Sequence, residues 1–142
     1  MQIYSFKKNC LSSQAPEVAD VGRVVDVSII PWGSTIVDCN IVCRLRHLQW
    51  YVVLSPALPK ILSLVQAHLK DGAQKLSFCC GTGEHCSRAL AELVVDQLRA
   101  EDGQCLEACH LEADWKCQIC PPSSDPRLSN AFQQLWIEAG SE

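Results

Sequence analysis

The sequence has 142 residues, 48% of them apolar and 20% charged, with a formal net charge of -4. That length suits one domain with a sizeable core, and the composition excludes a disordered chain. The acidic balance excludes a nonspecific polyanion binder, so any nucleic-acid contact must rest on a local patch. In chain order, Ile3–Phe6 reads as a short strand. Arg23–Ile30 is rich in β-branched residues and meets Pro31-Trp32-Gly33, which predicts a buried strand. Ile36–Leu54 fits two readings. Ile41, Leu45, Leu48 and Val52 share a helical stripe, while Trp50–Val53 also suits a strand. Over Pro56–Lys70 the spacing of Leu58, Ile61, Leu62, Val65 and Leu69 predicts a helix, with Asp71-Gly72 as its stop. Leu76–Cys80 is an apolar run of strand length. A second helix follows from about His85 to Ala100, with Ser87, Leu90, Ala91, Val94 and Leu98 as its buried face. Gln104–His110 alternates like a last strand. This helix–strand–turn–helix–strand succession predicts a small α/β domain, its mixed or parallel sheet flanked by helices and joined by right-handed crossovers.

The predicted domain covers residues 1–112, and residues 113–142 form an extension of different texture. Trp115, Cys117, Cys120 and two prolines make a turn-rich joint. Asp125 then caps a short helix with Pro126 at its first position. Leu128, Ala131, Phe132, Leu135 and Trp136 form its apolar stripe. That stripe either docks on the domain or, through Phe132 and Trp136, offers a face to a protein partner. Met1–Lys8 has no apolar h-region, and no run approaches the ~20 apolar residues of a membrane span. The expectation is therefore a cytoplasmic chain without membrane contact.

The sequence contains ten cysteines. Cys39, Cys43, Cys79 and Cys80 sit in apolar surroundings, where a reduced thiol behaves as a small hydrophobe. Cys117 and Cys120 look like half of a zinc ribbon, which Cys105, Cys109 and His110 would have to complete in space. No second Cys-x-x-Cys follows, so the expectation is no bound metal.

The chemistry concentrates at Cys80-Gly81-Thr82-Gly83-Glu84-His85-Cys86-Ser87. A strand that turns through two glycines into a helix exposes backbone N–H groups at the positive end of the helix dipole, which suits an anion. The Thr82 and Ser87 hydroxyls and the His85 imidazole add donors. The plainer alternative is a tight βα turn with no ligand. Known phosphate loops do not fit: a Walker loop needs Gly-Lys-Ser/Thr where Gly83-Glu84-His85 stands, and a dinucleotide fingerprint needs a third glycine at Cys86. A cysteine phosphatase needs Cys, five residues and then Arg, and here Cys80 is followed at that spacing by Cys86. Cys80 with His85 as base would make a cysteine-dependent enzyme, but no third orienting group is evident. The expected catalytic set is empty.

In this turn the sequence resembles the RapZ family. The C-terminal domain of that family carries a motif of the form Cys-Thr-Gly-Gly-x-His-Arg-Ser, which Cys80, Gly83, His85 and Ser87 match. Ile3-Tyr4-Ser5-Phe6 is similar to the opening strand of that domain. Asp26-Val27-Ser28-Ile29-Ile30-Pro31 is similar to its Asp-Val-Arg-Phe-Leu-Pro, and Cys109-His110-Leu111 falls where it shows Arg-His-Arg. The resemblance covers roughly Gln2 to Glu112.

It implies a domain that senses an amino-sugar phosphate and that, in bacteria, follows a P-loop nucleotide-binding domain in a protein binding a small regulatory RNA. These 142 residues hold no P-loop, so nucleotide binding is not carried over. The departures are systematic: Ser28, Cys86, Cys109 and Leu111 stand where the family supplies arginine, the usual phosphate clamp. Arg88, two residues past Cys86, lies half a turn round the helix and is not expected to replace the lost side chain. Arg44 and Arg46 are the candidates to reach the pocket.

These readings converge on a noncatalytic regulatory domain without cofactor. The expected ligand is an anionic, phosphosugar-like small molecule. Cys80, Gly81, Thr82, Gly83, Glu84, His85, Cys86 and Ser87 are its expected contacts, joined by Asp26, Ser28 and His110. The alternatives are an RNA-binding adapter and, third, a cysteine-dependent enzyme or protein-interaction module. Homo-oligomerisation is left open.

Overall fold

The structure is a computed structural model that describes residues 2–7, 22–30, 44–80, 86–103, 108–110 and 126–140. Its strands are β1 (Gln2–Lys7), β2 (Arg23–Asp26), β3 (Lys75–Cys80) and β4 (Ala108–His110), and its helices are α1 (Arg44–Val53), α2 (Leu58–Lys70), α3 (Cys86–Asp102) and α4 (Pro126–Gly140). The strands form one sheet in the order β2-β3-β1-β4. Every pairing is parallel, with Ile3 beside Leu76, Val25 beside Phe78 and Ser5 beside His110. This is the α/β class expected from the sequence.

The central strand explains the layering. From Leu76 to Cys80 no residue of β3 is exposed, the mark of a parallel strand covered on both faces. In-register neighbours share a face, so Ile3, Val25, Leu76, Phe78 and Cys80 point to one side. These five join Leu90, Val94 and Leu98 of α3 in a single core cluster. α3 lies across β1 and β3, α1 packs beside α3, and α2 packs beside β2.

The structure shortens one expected strand and resolves one ambiguous segment. β2 stops at Asp26, four residues short of the expected strand end. The Asp26 carboxylate accepts a hydrogen bond from the Ser28 N–H at 2.8 Å, and the Ile30 N–H donates to the Val27 carbonyl at 3.1 Å. Such local bonds compete with the ladder. Val27 and Ile30 are buried all the same, so the apolar pattern continued past the strand because the turn packs inward. The ambiguous segment resolves as helix over Arg44–Val53, with Leu48 and Val52 buried one turn apart.

α2 ends as Asp71-Gly72 suggested. Gly72 has a φ of 84° and donates to the Leu69 carbonyl, while Ala73 donates to that of His68. This is a Schellman close, which satisfies carbonyls that the helix itself leaves open.

The C-terminal helix is longer than the short one expected, and it belongs to the same core. Leu128, Phe132, Trp136 and Ala139 are buried with the sheet and α3. The Gln66 amide donates to the Trp136 carbonyl at 2.8 Å, and the Lys70 ammonium to the Gly140 carbonyl at 3.4 Å. α2 thus places a cation at the negative end of α4. The Trp136 indole N–H donates to Glu101 of α3 at 2.9 Å. Phe132 and Trp136 are only 2% and 4% exposed, so they make a docked helix and offer no partner face.

Several sequence expectations lie outside the described residues: the Pro31-Trp32-Gly33 stop, the Gly81–His85 turn, Gln104 to Glu107, Leu111, the Cys117/Cys120 joint and the Asp125 cap.

Candidate functional site

In a wholly parallel sheet all strands end on one edge. β3 ends there at Cys80, with Lys7 of β1 paired beside it, and Asp26 of β2 is paired with Cys79. Ser5 of β1 pairs with His110, the last residue of β4. The chain returns at Cys86 to begin α3, a helix of 17 residues. The five residues between strand and helix, Gly81 to His85, are those expected to hold the anion, and they lie outside the described residues. What flanks them on both sides is described.

Cys80, Cys86 and Ser87 come together at this junction. They are 7%, 3% and 0% exposed. The Cys80 Sγ and Ser87 Oγ are 3.2 Å apart and share a hydrogen bond. That bond ties the end of the central strand to the first turn of the helix. Cys79, Cys80 and Cys86 are all free thiols, in line with the reduced state expected for Cys79 and Cys80. These side chains hold the junction together from inside, so the expected direct ligand contacts narrow to the backbone and the turn itself.

Burial, and secondly the charge of the neighbouring Cys80, push the Cys86 thiol up from 9.0 to about 12. A neutral, buried thiol is a poor nucleophile and a poor metal ligand. The raised value carries a stability consequence. Below its unfolded value near 9 both states hold the proton and the contribution of Cys86 is fully present. It is lost as pH rises toward 12, because the unfolded chain releases a proton that the folded chain keeps. The stability advantage of the parent over Cys86→Ala is expected to narrow by on the order of 2–4 kcal/mol across that window. Urea titrations at pH 7, 9 and 10.5 measure it, and a constant difference would contradict the buried, protonated thiol.

The same burial decides what arginine would do here. The family resemblance makes Cys86→Arg look like the restoration of a phosphate clamp. At 3% exposure the guanidinium would enter the core and lose its hydration. The expected result is a loss of a few kcal/mol, read as a lowered urea midpoint, with no gain in phosphate affinity. A variant as stable as the parent that binds phosphate more tightly would refute the inward placement.

The remaining candidates are spread along the edge. Asp26 and Ser28 are exposed and bonded to one another. By register Asp26 shares its face with Cys79, on the side of the sheet away from α3, so it and Cys80 meet at one edge but on opposite faces. His110 sits two register positions below Lys7 and Cys80. Arg44 and Arg46 lie in the first turn of α1.

Arg88 occupies the first turn of α3, partly buried, with its Nε out of solvent. Among the described residues no group of three or more histidine, cysteine or acidic side chains could hold a metal ion. Among them, too, no helix is long and apolar enough to cross a membrane.

Comparison with known protein families, with characterised proteins and with solved structures finds no match to this chain.

Proposed function

We propose that this chain is a noncatalytic ligand-binding domain, similar to the C-terminal domain of the RapZ family, that takes an anionic small molecule at the Gly81–His85 turn, a phosphorylated sugar first. The observation that carries this reading is the position of the turn in the fold. It joins the central strand of a parallel sheet to the N-terminus of the long helix packed on that sheet.

The strand order adds to it. β1 and β3 are neighbours, yet the chain leaves β1 toward β2 on one side and leaves β3 toward β4 on the other. In open α/β sheets a ligand crevice forms at such a reversal, outside the carboxyl ends of the strands. Backbone N–H groups at the start of α3 supply the donors, and Arg88 is the cation in that first turn. The resemblance in the motif residues Cys80, Gly83, His85 and Ser87 favours a phosphosugar over other anions. The buried Cys80 and the neutral Cys86 thiol speak against cysteine catalysis.

A thermal-shift screen of the intact chain with inorganic phosphate, hexose and hexosamine phosphates, nucleotides and short RNAs tests the reading. A sugar phosphate is expected to raise the melting temperature, with little dependence on salt, and Gly83→Val is expected to abolish the shift while the protein remains folded. A shift produced by RNA alone, falling steeply with salt as counterions are released, would replace this reading with an RNA adapter. No shift from any of these would overturn both.

A further inference from the structure

We draw no further inference here: the strongest candidate, the carboxamide of Gln49 on helix α1, which is 2% exposed with an Oε1 that meets no hydrogen-bond donor, carries nothing because nothing among the described residues shows which group would complete it.

Discussion

Replacing Gly22 by alanine is expected to cost about 3 kcal/mol or more, while the same replacement at Gly72 or Gly103 costs about 1 kcal/mol. All three glycines have positive φ, at 75°, 84° and 67°, so each substitution carries the left-handed penalty of an L-residue. Only Gly22 adds a collision. A Cβ there would fall 2.4 Å from both the Cβ and the carbonyl oxygen of Lys75, whereas Gly72 and Gly103 face open space. Lys75 opens the central strand, and its backbone is held in the ladder with β1. β2 would therefore have to move, taking the fully buried Val25 and Val27 with it. Urea denaturation of the three variants measures the differences. Equal losses at Gly22 and Gly72 would show that β2 does not approach Lys75 this closely.

Deleting residues 126–142 is expected to abolish cooperative unfolding. The lost helix buries Leu128, Phe132 and Trp136 to 4% exposure or less, and large side chains of this kind contribute roughly 1.5–3 kcal/mol each. Their total is comparable with the whole stability of a typical domain. The deletion also uncovers the apolar side chains of α2 and strips Glu101 of its indole partner. Trp136→Ala isolates one part of this and is expected to cost about 3–5 kcal/mol. Ile137→Lys, on the exposed side of the same helix at 57% exposure, is expected to stay within about 0.5 kcal/mol of the parent. A truncated chain that still unfolds at the parent urea midpoint would make residues 126–140 an appendage. Near-UV circular dichroism shows whether any compact remnant keeps fixed side-chain packing.

The parts of this fold that were legible are those whose signal is local. Leu76–Cys80 and the stripe on α3 each announce themselves within a few residues, as does the Asp71-Gly72 close of α2. β2 was overread because Ile30 is apolar for packing and not for pairing, while Val27 adds only one last bond to the Cys79 carbonyl before the chain turns. α1 stayed ambiguous because a short apolar segment satisfies both periods. The docking of α4 depends on Gln66, Lys70 and Glu101, partners distant in sequence, and no periodicity within the helix names them. At the site, the direction of Cys86 was not legible. Comparison with the family motif put arginine in its place and suggested an outward side chain, while the first turn of α3 packs that position into the core.

The order of the sheet also sets a timetable for synthesis. β1 is made first, yet it ends as an inner strand whose neighbours are β3 and β4: Gln2 pairs with Lys75, and Ile3 with both Leu76 and Ala108. At ribosomal rates of about 5–20 residues per second, the first strand waits several seconds for either neighbour to emerge. Ile3, Tyr4 and Phe6 have no native edge to join in that interval, and pairings so distant in sequence slow folding afterwards as well. β1 thus stays unpaired on the nascent chain until Lys75–Cys80 has been made.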